Sequence, residues 1–152
     1  MSHDTVLPAE RTAHGSVSAT RVGTRTYRGT NERGATVLIG PEEVPDAFSP
    51  GELFKLALAG CAGLSADRVI ARRLGDDFDA TFWAHGTSDE ATNRYTAVDE
   101  EIVVAGLAGL DDAERAKLLD LVERSIERAC TIARTVRDVV DLSTTVADVN
   151  GN

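Results

Sequence analysis

The stretch from Ser49 to Leu64 constrains this chain more than any other. Ser49-Pro50-Gly51-Glu52 reads as a helix start: a serine able to cap, a proline at the first helical position, and a glutamate three residues after the cap. Behind it, Leu53, Phe54, Leu56, Ala57, Leu58, Ala59, Gly60, Cys61, Ala62, Gly63 and Leu64 leave almost no polar face. A helix apolar on all sides must be covered on all sides. A chain of 152 residues can cover it only partly with one sheet, so the pattern implies a second subunit. Ala59, Gly60, Ala62 and Gly63 are small enough to permit close packing there. From Asp67 the helix turns polar and basic through Arg68, Arg72 and Arg73, which suits a C-terminal end. Gly75 ends it.

Around this helix the pattern is α+β. Residues 1–14 are polar, contain Pro8 and read as a flexible lead-in, leaving 15–152 as one folded domain. Ser16–Val22, Thr26–Arg28 and Ala35–Gly40 read as three short strands joined by turns at Gly23-Thr24 and Asn31–Gly34. A loop with Pro41 and Pro45 leads to the helix. Phe78–His85 and Tyr95–Val104 read as strands separated by a loop over Gly86–Arg94. Asp111–Glu114 is a second capping box. The helix behind it carries Leu118, Leu121, Val122, Ser125, Ile126 and Ala129 on one stripe. Thr131–Arg137 reads as a further helical turn and Val139–Val146 as a last strand. Helices segregated from a mostly antiparallel sheet define the class.

Composition narrows the function. Apolar residues at 42% and charged residues at 27% are ordinary for a globular chain, so wholesale disorder is not expected. The formal net charge of −9 repels phosphate backbones and anionic bilayers, which argues against nucleic acid and membrane surfaces as partners. No apolar run is long enough to span a membrane. The start, Met1-Ser2-His3-Asp4-Thr5, lacks the basic and apolar segments of a signal peptide. A cytoplasmic location is expected, where a purely structural disulfide is improbable.

The chemistry-bearing residues are few. The chain has two cysteines, Cys61 inside the apolar helix and Cys130 where one helix ends and another turn begins. Their plainest reading is two buried, inert thiols. Their functional reading is a reversible disulfide pair set on different helices. Local electrostatics favour Cys130 as the reactive one, since a helix N-terminus stabilises a thiolate. A peroxide-reducing thiolate needs a cation, and Arg21, Arg25, Arg28 and Arg33 cluster near the first turns. Glu52 is the candidate carboxylate, although the capping box alone would explain it. It lies nine residues before Cys61, about two and a half turns. His3 and His14 fall in the lead-in and His85 in a strand. No spacing resembles a metal site, and no glycine pattern cradles a nucleotide. Neither metal nor cofactor is expected.

At this point a resemblance emerges. Phe48-Ser49-Pro50-Gly51-Glu52-Leu53 through Ala57-Leu58-Ala59-Gly60-Cys61 resembles the first signature of the OsmC/Ohr superfamily. Cys130-Thr131-Ile132-Ala133-Arg134-Thr135-Val136 resembles the second. Arg94–Val98 leading into Ile102–Gly106 is similar to the segment between. The resemblance implies an intertwined homodimer, with antiparallel sheets wrapped around two long central helices and active sites at the interface. It implies reduction of organic hydroperoxides: Cys61 attacks and becomes a sulfenic acid, Cys130 condenses with it, and a dithiol, lipoyl-linked in one branch, restores both. It assigns the thiolate-binding arginine to Arg25. In the Ohr and OsmC branches the functional glutamate falls at the position of Gly51, whereas here Glu52 follows it. Ala133 stands where serine is usual. A thiol protein of the same fold that binds a small hydrophobic or thiol-reactive ligand, and a structural stress protein, are the rival readings.

Overall fold

The computed structural model describes residues 14–150. The expected lead-in, His3 included, otherwise lies outside the described residues. His14 is described, with Nδ1 2.9 Å from Glu32 Oε1. The chain divides into two compact units, residues 1–53 and 54–152.

The first unit is a meander of β1 (Val17–Gly23), β2 (Thr26–Asn31) and β3 (Thr36–Ile39), antiparallel in that order. The turn after β2 forms as expected: Asn31 Oδ1 accepts from the Arg33 and Ala35 amides at 3.0 and 2.9 Å. Gly29 is there for space, since a Cβ would sit 2.9 Å from Val37 Cγ1. The unit closes on the start of α1 (Pro50–Leu74). Here the capping box is complete: the Ser49 amide donates to Glu52 Oε2 at 2.8 Å, and the Glu52 amide to Ser49 Oγ at 3.2 Å.

The second unit holds the body of α1, β4 (Ala80–Asp89), β5 (Arg94–Val104), α2 (Asp112–Ala129), α3 (Thr131–Val136) and β6 (Asp141–Asp148). Its sheet runs β4-β5-β6. β4 and β5 are antiparallel, but β5 and β6 are parallel. A parallel pair needs a long crossover, which α2 and α3 supply. The core is Leu58, Ala62, Ala66 and Ile70 of α1 against Val98, Ile102 and Val104 of β5 and Leu118, Val122 and Ile126 of α2. Gly75, at φ 96°, ends α1 as expected.

Several boundaries differ from the sequence reading: β2 runs on to Asn31 rather than stopping at Arg28, and β4 begins at Ala80 rather than Phe78. β4 continues through Asp89 where a loop was expected, because Thr87 and Asp89 pair with Ala97 and Arg94 across a bulge. The turn is confined to 90–93 and is held by the Asp89 carboxylate, which accepts from the Ala91 amide at 3.1 Å and Thr92 Oγ1 at 2.6 Å. The last strand starts at Asp141 rather than Val139, because the amides of Val139 and Val140 bond back to the Val136 carbonyl at 3.0 and 2.9 Å. A 3₁₀ turn at Leu107–Gly109, not expected from sequence, packs Leu107 into the core.

α1 is covered on one side only. Leu58, Ala59, Ala62, Ala66 and Ile70 are buried, while Leu56, Ala57, Gly60 and Leu64 form an exposed stripe, with Leu64 85% exposed. Of the four small residues, Ala59 and Ala62 are buried, and a Cβ on Gly63 would meet the Phe82 ring at 3.6 Å. Only Gly60 belongs to the open face, with no neighbour near the place of its missing Cβ.

Candidate active site

Cys61 and Cys130 both belong to the second unit. Cys61 is half-buried on the face of α1 that carries Phe54 and Leu58. Cys130 is fully buried. It closes α2, its amide donating to the Ile126 carbonyl at 2.9 Å, and opens α3, its Sγ accepting from the Ala133 amide at 3.4 Å. The two thiols are near enough for Cys61 to act on the titration of Cys130, and both are free.

Burial dominates the titration of Cys130. Its pKa is raised to about 11: loss of water is the largest cause, the Cys61 side chain the next, and together they outweigh the lowering by the Ala133 amide. The negative charges of Cys61 and Glu100 add to the rise. The helix N-terminus at Cys130 therefore does not make it a readily ionised thiol, contrary to the expectation from its position in the sequence. A single amide at 3.4 Å does not offset the desolvation of a sulfur anion.

The other two expected site residues lie in the first unit. Arg25 occupies the tight turn between β1 and β2 with φ 52°, a left-handed conformation unusual outside glycine. It lines a cavity of about 600 Å³ with Arg21, Tyr27, Ser49 and Pro50. Arg28 and Arg33 are not part of that cavity. Glu52 is engaged in the capping box with Ser49. His85 lies apart from the thiols on an exposed face of β4, stacked at 6.2 Å on Trp83 and 3.0 Å from Glu101.

A model of the OsmC-like protein family matches residues 41–145. The chain belongs to that family. Proteins of Mycobacterium tuberculosis H37Rv and Mycobacterium bovis, both named as uncharacterized, are 43% identical to it over 129 residues, 85% of this chain and 93% of theirs. Solved structures share the OsmC-like fold at lower identity. A hypothetical protein from Aquifex aeolicus superposes with a TM-score of 0.72 at 16% identity, covering 90% of this chain and 97% of that one. The OsmC-like protein of Mycoplasma pneumoniae gives 0.70 at 10% identity, covering 89% and 96%. The organic hydroperoxide resistance protein OhrB of Bacillus subtilis gives 0.57 at 22% identity, covering 88% and 97%.

In this OsmC-like chain, sequence reasoning passed over one residue, Glu100. It sits in the inward register of β5, between Val98 and Ile102, and is 3% exposed. Its Oε1 is buried without a hydrogen-bond partner. Burial raises its pKa to about 7. The signal was available: Val98, Glu100, Ile102 and Val104 alternate with period two, placing a carboxylate on the core face of a strand. The charged run Asp99-Glu100-Glu101 concealed it. Among the described residues no group of histidines, cysteines and carboxylates is arranged to hold a metal, and no helix is long and apolar enough to cross a membrane.

Proposed function

We propose that the protein is a thiol-dependent peroxidase that reduces organic hydroperoxides through Cys61 and Cys130. The observation that carries this reading is that both thiols belong to one core, Cys61 half-buried against the cluster that holds the fully buried Cys130, with Cys61 acting on the titration of Cys130. The half-buried thiol is the one a substrate can reach. The Cys61 thiolate attacks the terminal peroxide oxygen, the O–O bond breaks, and the alkoxide leaves as an alcohol after taking a proton. Cys61 becomes a sulfenic acid, and Cys130 condenses with it to a disulfide with loss of water. A dithiol, lipoyl-linked by analogy with the family, returns both thiols by exchange. The thiolate-holding part falls to Arg25 and the orienting carboxylate to Glu52. Membership of a family that includes proteins named for organic hydroperoxide resistance supports the substrate class.

Two copies are inferred to build the working molecule, because the apolar stripe Leu56-Ala57-Gly60-Leu64 is left in water by a single chain. The second reading, a thiol protein that binds a small reactive ligand without turning over peroxide, is favoured by the engagement of Glu52 in helix capping.

A consumption assay with cumene hydroperoxide and hydrogen peroxide, each with dihydrolipoamide and dithiothreitol, separates the two. Turnover of the alkyl peroxide, lost in Cys61→Ser, is expected. Cys130→Ser should consume one equivalent and stop at a sulfenic acid that dimedone traps. Full turnover in Cys61→Ser, or none in the wild type, overturns the peroxidase reading.

A further inference from the structure

Disulfide closure asks for a proton acceptor that the two cysteines do not provide. With its pKa near 11, Cys130 is a thiolate at neutral pH only about once in 10⁴ molecules. The Ala133 amide is a donor and cannot take the proton. Cys61, once oxidised to a sulfenic acid, is a poor base. Glu100 is the carboxylate whose charge acts on Cys130, and its Oε1 is buried with its lone pairs unused. Natural cores seldom keep an unpaired carboxylate oxygen without a use for it.

The surroundings of Glu100 suit proton transfer. It lines a cavity of about 380 Å³ with Glu123 and Glu127 of α2, Arg137 after α3, and Thr144 of β6. Ala133, whose amide touches Cys130 Sγ, lines the same cavity. The charged groups facing this space are therefore three carboxylates and one guanidinium, with the Cys130 sulfur next to Ala133.

We propose that Glu100 is the general base for Cys130 in disulfide closure, an assignment that rests on the peroxidase reading for its oxidant. The Cys130 S–H proton passes to the Glu100 carboxylate, directly or through one water. The sulfur then attacks the Cys61 sulfenic sulfur. The S–S bond forms as the S–O bond breaks, and the proton on Glu100 goes to the departing hydroxide, which leaves as water. Cys61 sulfur is reduced by the step and Cys130 sulfur oxidised, so electrons balance between them. The arrangement also removes its own obstacle. While Glu100 is ionised its charge disfavours a neighbouring thiolate, but taking the proton neutralises it, so the thiolate forms beside an uncharged acid.

Closure can be started in two ways on the full-length protein. One equivalent of cumene hydroperoxide begins it from the sulfenic acid. A substoichiometric dose of 2,2′-dithiodipyridine begins it without peroxide, by loading the more exposed Cys61. Cys130 then expels the bound pyridine-2-thione, read by absorbance. In both arms the wild-type closure rate should rise to a plateau as pH passes through about 7. Glu100→Gln, an isostere that removes a buried charge, should slow closure at pH 7 by at least about 10²-fold. It should also shift the pH dependence toward the alkaline titration of Cys130, and Glu100→Asp should recover part of the rate. Closure of Glu100→Gln at the wild-type rate with the wild-type pH profile overturns the proposal. A wild type inert to peroxide that still shows the Glu100-dependent profile in the dithiodipyridine arm would fail the peroxidase reading while upholding Glu100 as the base.

Discussion

Glu100 titrates far from an exposed carboxylate, and folding must reflect it. Burial raises its pKa from 4.5 to about 7. Between those values the folded protein holds a proton that the unfolded chain has lost, so stability falls as pH rises through the window and is level above it. The full shift corresponds to on the order of 3 kcal/mol. Urea unfolding at pH 5 and pH 8 should show this decline in the wild type and little of it in Glu100→Gln. An equal decline in both would place its origin elsewhere. Arg25 offers a second residue-scale test, because its turn geometry and its proposed chemistry can be separated. At φ 52° a glycine is at ease where an arginine is strained, so Arg25→Gly should leave stability unchanged or raise it by up to about 1 kcal/mol. The same change should slow the reaction of Cys61 with peroxide and raise the pH at which its thiolate appears, measured by absorbance in a Cys130→Ser background. Arg21→Ala, altered in the same cavity, and Arg28→Ala, outside it, are the comparisons. A titration of Cys61 that moves only with Arg21 would transfer the role to that residue.

Among the elements, α1 was the most legible because everything that defines it is local. Ser49, Pro50 and Glu52 write its start, Gly75 its end, and the apolar run its burial. The capping box carries a direct cost: Ser49→Ala should lower the unfolding free energy by about 1 kcal/mol, read from the urea midpoint at unchanged slope. No change would mean that Pro50 alone sets the start. The ends of β4 and β6 were less legible, because their positions depend on partners. Thr87, Ser88 and Asp89 are polar and turn-like, and only pairing with β5 makes them a strand. Val139 and Val140 look like a strand and are held instead by the Val136 carbonyl. The candidate site was legible to the same degree. Each cysteine could be assigned to its helix, and the family resemblance paired them. No spacing in the chain could report their nearness in the fold, or weigh one amide at Cys130 against its complete burial. Nor could it distinguish Glu100 from its flanking acids except through the two-residue alternation of β5.

At the scale of the whole molecule, two exposed apolar surfaces compete to explain self-association. One is the α1 stripe, where Leu56 is 50% and Leu64 85% exposed. The other is the outer face of β4, where Trp83 is 52% exposed and stacked on His85. A tryptophan with a polar neighbour can live at a surface by covering area with its ring edge. A leucine in the middle of a long helix, flanked by Gly60 with nothing above it, gains only by being covered. Burying a leucine contributes about 1.5–3 kcal/mol, and in a two-fold interface each residue is buried twice. The wild type is therefore expected to be a dimer at low micromolar concentration by light scattering. Leu64→Glu would set a carboxylate from each copy into an apolar contact, where removing it from water outweighs anything the helix gains. It should yield a monomer or weaken association by at least about 10²-fold, while Trp83→Arg leaves the dimer intact. A wild-type monomer at that concentration contradicts the intertwined arrangement. A dimer broken by Trp83→Arg but not by Leu64→Glu would move the interface to the sheet and leave the open face of α1 without its proposed cover.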